Sequence, residues 1–579
     1  MNHLYRRLAG LLLKYRGLLL LAMVSATLSV ISTLVGPLFI GQAIDAMTGI
    51  GQVDFDGLLH ILTLLLAFYV GGALFLWLLT LTSNRIAYRF VNDLRASLYA
   101  KINVLPLRFY DQVAHGDTMN LFVNDADTVA DGMLQGLIAL LSGVVTIVGA
   151  ILFMLFLNPL MTGVVLLSTP IAYSVARFIT KRSQARFKET AASLAALNGY
   201  AEEMIGGQKI VKAFNYERRS FEHFKAINDQ LYQAGVRSQF ISSLSNPATR
   251  IVNNITYTMV GIIGALTAIQ GHLTAGEISS FLIYAVIFAK PINDFTSVLT
   301  QIQSALASSE RIFRVLDLEP ERADDPDARV LDSSSGRIDF DHVCFSYTPG
   351  QRLIENFDLS ITPGDRVAIV GHTGAGKTTL VNLLMRFYEI DSGSIAVDGT
   401  DIRHITRDSL RRSFGMVLQD TWLLDGSIRD NIAYARPEAS LEQIVAAATA
   451  AGAHNFIRTL PDGYETLISN AGDNLSQGQK QLLTIARVML ADPPMLILDE
   501  ATSNIDTYTE MHIQEAFRKM MVGRTSLVIA HRLSTIKNAD IILVLDNGNI
   551  VEKGNHEQLL AQEGFYTTLY RSQFEGAVL

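Results

Sequence analysis

The first half of the chain alternates long uncharged stretches with short charged ones. No Asp, Glu, Lys or Arg occurs between Arg16 and Asp45, Asp56 and Arg85, Asp131 and Arg177, or Arg250 and Glu277. Each gap reaches or exceeds the roughly 20 residues that span a bilayer as a helix. The third gap is about twice that length and carries Asn158-Pro159 at its centre. Proline lacks an N–H and biases its predecessor away from helix, so this stretch reads as a hairpin of two spans. A sixth span, Ile278 to Ser304, is interrupted by Lys290, Pro291 and Asp294. The pattern predicts an all-α membrane domain over 1–316, with spans near 17–44, 57–84, 134–157, 160–178, 251–271 and 278–304.

Lys and Arg near span ends stay on the cytoplasmic side. Asp45 to Asp56, Asn158-Pro159 and Gly271 to Glu277 contain neither, whereas Arg6, Arg7, Lys14 and Arg16, then Arg85 to Arg108 and Arg177 to Lys188, are basic. Both ends of the membrane domain are thus expected in the cytoplasm, with the first fourteen residues a short interfacial helix. Arg85 to Leu105 contains neither Gly nor Pro, so a continuing helix would project about 30 Å beyond the bilayer. The turning points near Phe109 to Asp127 and Tyr200 to Glu217 are Gly-containing and charged, as contact elements for a cytoplasmic domain would be; solvated surface is the alternative.

After Leu316 the text turns acidic and Ser-rich over 317–337, the composition of a linker. A second domain, 338–579, shows short β-rich runs (RVAIVG, MLILDE, TSLVIA, IILVLD) between helical stretches, an α/β alternation. Composition sharpens this division. Over 579 residues, 49% are hydrophobic and 18% charged, with a mean hydropathy of +0.27, an apolar excess beyond ordinary cores. The net charge of −8 leaves no basic surplus for nucleic acid. A single cysteine, Cys344, excludes intrachain disulfides and Cys-based metal clusters, and is expected as a small buried residue.

Gly371, His372, Thr373, Gly374, Ala375, Gly376, Lys377, Thr378 and Thr379 follow the strand-like RVAIV and precede the helix-like LVNLLMRF. They match GxxxxGK[ST] in its strand, loop and helix context. Such glycines let backbone N–H groups turn toward phosphate oxygens, at the positive N-terminus of the next helix. Lys377 would hold the β- and γ-phosphates of ATP, and Thr378 would ligate Mg²⁺. A second apolar strand ends in Asp499 and Glu500, at the edge where an α/β sheet binds ligand. Asp499 is expected in the Mg²⁺ shell, and Glu500 beside the γ-phosphate to polarise an attacking water.

From Ile338 onward these motifs resemble an ABC transporter nucleotide-binding domain, a P-loop NTPase. The whole chain resembles a half-transporter of the exporter type. The resemblance implies that Tyr347 in CFSYTP stacks on adenine and that Gln419 in VLQD links Mg²⁺ and water to the membrane domain. It makes LSQGQ, Leu475 to Gln479, the signature motif, Ser503 to Asp506 the D-loop, and His531 the switch histidine near the γ-phosphate. In this family ATP is sandwiched between the phosphate loop of one domain and the signature of another, so a second half-transporter is implied. Ser476, Gly478 and Gln479, with Asp506, would then serve the dimeric nucleotide site.

Three places depart from the family text: LSQGQ for LSGGQ, SNID for SALD, and ISNAGDN where VGExG is usual. Gln477 puts a side chain where Gly permits close approach of phosphate. The cluster resembles the catalytic-glutamate-bearing subunit of heterodimeric bacterial multidrug exporters, which favours a heterodimer over a homodimer. The implied function is ATP-driven export of drugs, lipids or peptides across the cytoplasmic membrane. Import on the exporter fold, as by some siderophore importers, and an ATP-gated regulator or channel stay open. In the membrane domain, Lys290 and Asp294 stand at i,i+4 and are expected to pair with each other or to line the path. Asn253, Asn254, Thr256 and Tyr257 are candidates for lining it or for bridging helices.

Overall fold

The computed structural model describes residues 2–47, 53–348, 350–351, 353–419, 421–469, 472, 474–499, 507–530 and 536–571. Contact density divides the chain into two units: Met1–Asn103 with Ala114–Leu318, and Val104–Val113 with Glu319–Leu579.

The first unit is helical: α1 (Asn2–Leu12), α2 (Arg16–Ala46) and α3 (Phe55–Ile102), then, beyond the short α4 (Leu107–Gln112) of the other unit, α5 (His115–Asn120), α6 (Ala126–Leu157) and α7 (Pro159–Gly206). It continues through α8 (Gln208–Ala213), α9 (Glu217–Ser243), α10 (Ser245–Ile269) and α11 (Ala275–Leu316). Among the described residues six helical segments are long and apolar enough to cross a membrane: Arg6–Ala46, Phe55–Ile102, His115–Leu157, Pro159–Gly206, Glu217–Ile269 and Ala275–Ile292. The 48 residues of α3 span roughly 72 Å at 1.5 Å per residue, more than twice a bilayer core of about 30 Å. The break between α6 and α7 has a local cause. Asn158 is extended, its Oδ1 accepts from the Met161 N–H at 3.0 Å, and Pro159 takes the first helical position, where its missing N–H costs nothing.

Packing in this unit relies on small residues. Ala22 and Ala26 are fully buried, with Ser25 and Ser29 beside them on α2. At the other end of α2 a Cβ on Gly276 would lie 2.0 Å from the Gly41 carbonyl, so α2 and α11 meet backbone to backbone. Asp45 fastens this crossing by accepting from Thr274 Oγ1 at 2.7 Å and from the Gly276 N–H at 2.8 Å. Deeper in, Tyr284 donates to the Leu34 carbonyl and stacks on Phe153 at 5.4 Å. α11 runs on continuously through Pro291. At the foot of the bundle, after a π-helical turn over Leu121–Asp125, the buried Asp125 accepts from Ser308 Oγ at 2.8 Å and Arg311 Nε at 3.0 Å.

The second unit holds two principal sheets. Its strands are β1 (Ile338–Phe345), β2 (Ile354–Ile361), β3 (Arg366–Gly371), β4 (Ser392–Val397), β5 (Thr400–Asp401) and β6 (Phe414–Val417). Then come β7 (Gly426–Ser427), β8 (Leu467–Ile468), β9 (Met495–Asp499), β10 (Thr525–Ile529), β11 (Ile541–Asp546) and β12 (Asn549–Gly554). One sheet runs β2-β1-β4-β5 and is antiparallel. The other runs β12-β11-β3-β10-β9-β6, parallel except for β12. Helices cover the parallel sheet, which is why β10 is buried along both faces and β9 reads as an apolar run, buried along both faces, up to Asp499.

Two expectations are corrected here. Cys344 is half-buried, because it alternates with the buried Val343 and Phe345 on β1; its Sγ accepts from the Asn356 N–H at 3.3 Å. The acidic stretch after Leu316 is also more than a solvated linker. Asp324 accepts from Arg407 at 2.7 Å and Glu321 from Arg411 at 2.6 Å, and Arg407 is buried.

Candidate nucleotide site and membrane cavity

The phosphate loop leaves β3 at Gly371 and enters α12 (Lys377–Leu384). Its backbone needs glycine at two points. A Cβ on Gly371 would sit 2.3 Å from the Leu545 carbonyl, and Gly376 caps α12 in the left-handed region at φ +95°. His372, Thr373, Gly374 and Thr378 are exposed, whereas Ala375 and Thr379 pack inward. Lys377 Nζ donates to the carbonyls of Gly371 at 2.8 Å and His372 at 2.9 Å, which holds the ammonium over the loop. Burial pushes its pKa down and the Asp499 carboxylate pulls it back up. The lysine and the aspartate thus share one electrostatic neighbourhood.

Asp499 ends β9 in register with Ile529 of β10. Val417 on β6 pairs with Leu498, so the chain carries Gln419, which is exposed, past the same C-terminal edge of the sheet. Tyr347 is half-buried against the antiparallel core; its hydroxyl donates to Thr379 Oγ1 at 3.3 Å and accepts from Asn382 Nδ2 at 3.2 Å. This ties the expected adenine platform to the phosphate-loop helix. Glu500, Asp506, the rest of the D-loop and His531 lie outside the described residues.

In the signature, Ser476 caps the 15-residue helix Gln477–Ala491. Its Oγ accepts from the Gln479 N–H at 3.3 Å, while its own N–H donates to Gln479 Oε1 at 2.9 Å. The reciprocal pair leaves the helix's positive end presented. Gly478 is buried. Gln477, where the family has glycine, turns its amide to Thr421 Oγ1 at 3.3 Å, two residues beyond Gln419.

Sequence reasoning missed Tyr388, although it marked Phe109 to Asp127, which overlaps α4, as a contact element for the cytoplasmic domain. Tyr388 meets the Tyr347 ring edge-on at 4.9 Å, and its hydroxyl donates to Asp111 on α4. Burial first, and that bond second, push its phenol pKa up. Arg108 on α4 also reaches the Tyr347 carbonyl at 3.5 Å. The aromatic pair FY after α12 was the available signal, but which distant acid it would meet was not encoded locally.

Residues 19–292 match the family model described as ABC transporter transmembrane region, and residues 354–503 the one described as ABC transporter. The chain is 43% identical over 570 residues to the ABC transporter ATP-binding protein YfiC of Bacillus subtilis (strain 168), covering 98% of this chain and 94% of that one. The chain belongs to the ABC transporter family. Other ABC relatives include a fatty acid ABC transporter ATP-binding/permease protein of Mycobacterium bovis, 44% identical over 520 residues, 90% of this chain and 82% of that one. An ATP-dependent lipid A-core flippase of Acinetobacter baylyi is 36% identical over 578 residues, 99% of each chain. A solved bacterial Atm1-family ABC exporter with ATP bound superposes with a TM-score of 0.77 at 30% identity, covering 99% of this chain and 98% of that one. The protein is therefore an ABC exporter half-transporter whose ATPase domain drives transport.

In the membrane unit of this ABC half-transporter, a cavity of about 390 Å³ brings together Asn253, Asn254, Thr256, Tyr257, Lys290 and Asp294. It also includes Arg250, which sequence reasoning passed over because that residue ends an uncharged gap. Lys290 and Asp294, expected either to pair with each other or to line the path, both line this cavity.

Proposed function

We propose that this chain is one half of a pump that moves lipids and other hydrophobic or amphipathic compounds out across the cytoplasmic membrane, driven by ATP. One observation supports the coupling more than any other. Val104–Val113, which follows the last turn of α3, belongs to the ATPase unit, where Asp111 binds Tyr388 and Tyr388 packs on Tyr347. A change of nucleotide at Tyr347 therefore reaches a segment covalently continuous with a membrane helix. The relatives that carry fatty acids or flip lipid A support a lipid substrate.

In this reading Tyr347 stacks on adenine, and the loop from Gly371 to Thr379 holds the phosphates with Lys377. The Thr378 hydroxyl, the Gln419 amide and the Asp499 carboxylate form a hard oxygen donor set at one sheet edge, which fits Mg²⁺. Mg²⁺ held by these residues would supply positive charge to offset that of the nucleotide's phosphates. Glu500 orients and deprotonates water, with His531 at the γ-phosphate. Asp506 belongs to the same interface. Ser476, Gly478 and Gln479 face the nucleotide of the second half. The basic loop ends support placing both termini and the ATPase in the cytoplasm. The LSQGQ and SNID departures support a different chain as the second half.

The test is ATP-dependent uptake of a labelled lipid into inverted vesicles holding the assembled transporter. Glu500→Gln is expected to lower ATPase at least about 100-fold and to stop uptake. Undiminished ATPase would remove Glu500 from its role. ATP-driven movement in the opposite direction would establish import, and turnover-independent flux a channel. Co-expression with an adjacent half-transporter, against the chain alone, decides between heterodimer and homodimer.

A further inference from the structure

The cavity in the membrane unit is built from three helix faces at helical spacing. On α7 they are Val165, Ser168 or Thr169, and Ala172; on α10, Arg250, Asn253 or Asn254, and Tyr257; on α11, Val286, Lys290 and Asp294. The opposite face of α11 places Phe281 and Tyr284 in the buried core, which fixes the helix's rotation and aims Lys290 away from that core. Lys290 lies fifteen residues below the start of α11 at Ala275, a depth of about 22 Å in a core of about 30 Å. Arg250 sits at the end of α10 that joins α9, on the basic side of the unit.

The electrostatics of the lining are one-sided. A cation at the depth of Lys290 is costly unless something solvates it, and such a residue faces a cavity for that reason. Arg250 and Lys290 both line the cavity and both are exposed. Against them stands one carboxylate, Asp294, so the lining carries a net charge of +1. The hydroxyl protons of Ser168, Thr169 and Thr256 are spent on carbonyls of their own helices, at 2.8, 3.0 and 2.9 Å. The donors left to reach into the cavity are the guanidinium, the ammonium, the two Asn amides and the Tyr257 hydroxyl. Val165, Ala172, Val286 and Phe288 supply an apolar wall next to them.

We propose that this cavity binds the anionic headgroup, carboxylate or phosphate, of an amphipathic substrate, with Arg250 and Lys290 as its two anchors and the apolar wall beside the first methylenes of its tail. A bidentate guanidinium and a point-charge ammonium suit either oxyanion. A cationic amphipath meets like charge on two sides and is disfavoured. Binding stands on the cavity alone; only the subsequent movement of the bound amphipath rests on the export reading.

The experiment measures equilibrium binding of radiolabelled oleate, oleoyl lysophosphatidate, oleyl alcohol and oleylamine to the full assembled transporter in phosphatidylcholine nanodiscs. The expected result is that both anions bind at least about tenfold more tightly than the alcohol and the amine. Arg250→Gln and Lys290→Gln should each weaken anion binding about tenfold and leave the alcohol unchanged. Lys290→Arg should restore it, and Asp294→Asn should strengthen it severalfold. Preference for one anion over the other identifies the headgroup and supports the proposal. Equal binding of amine and anion, or unchanged anion binding in the Arg250→Gln/Lys290→Gln double variant, overturns it. Thermal unfolding, measured in each variant, reports that the protein is folded. Oleate transport in proteoliposomes is scored separately: binding without transport removes the export reading and leaves the site, and transport without charge preference does the reverse.

Discussion

Leu, Ile, Val and Phe do opposite work in the two units. In the membrane unit many large apolar side chains face outward, with Phe156 at 88% and Ile269 at 83% exposure, while small residues such as Ala22 and Ala26 share the interior with a few large ones. In the ATPase unit Ile338, Ile369 and Leu543 are fully buried between the sheets and helices. The inversion comes from the solvent. Lipid offers no penalty to an exposed Leu, so helices gain most by close backbone approach and by hydrogen bonds such as Tyr284 to the Leu34 carbonyl. Water penalises the same exposed Leu, at roughly 25 cal/mol per Å², and drives it inside.

The largest expected effect contrasts these surfaces directly. Leu543→Ala should lower the stability of the ATPase unit by about 2–5 kcal/mol, whereas Phe156→Ala should stay within about 0.5 kcal/mol. Thermal unfolding of the purified protein in lipid nanodiscs, followed at both units, measures the pair. Comparable losses at the two sites would contradict the inversion.

Next, the membrane interior should resist enlargement. Gly276→Val places carbon onto the Gly41 carbonyl and should cost about 1–3 kcal/mol, with α2 and α11 forced apart. Cysteine crosslinking between the outer ends of these helices reports the separation, and unchanged crosslinking yield would argue that α2 and α11 do not meet there.

The smallest effect concerns titration. Burial first, and the nearby Lys537 second, hold the His556 imidazole below its ordinary pKa, where its Nδ1 lies 2.7 Å from the Tyr566 hydroxyl. The folded state thus prefers the neutral ring. Its contribution is present above the unfolded pKa of about 6.5 and is lost as pH falls through the lower folded value. The unfolding midpoint should drop between pH 7 and 5, and His556→Asn should flatten that slope; an unchanged slope would assign the pH dependence to other groups.

Much of the candidate ATP site was legible because its chemistry is local. A strand, a glycine turn and a helix N-terminus are consecutive in Arg366–Leu384, and Asp499 is placed simply by ending an apolar strand. The role of Tyr388 was not legible, since its partner Asp111 lies 277 positions away. Gln477 shows a finer limit. The sequence marks it as an intrusion upon phosphate, but its amide is directed to Thr421, a rotamer choice that only the neighbouring loop can make.

Periodicity and charge by themselves determined that six apolar helices precede an α/β ATPase, because span length, turn chemistry and the phosphate loop are written in contiguous residues. Tertiary structure decided which faces converge. It brought Arg250 of α10 and Lys290 and Asp294 of α11 to one cavity. It also drew Val104–Val113 into the ATPase unit. Those outcomes depend on helix rotation and on contacts distant in sequence, where the energy of each helix alone is nearly indifferent and only mutual packing selects one arrangement.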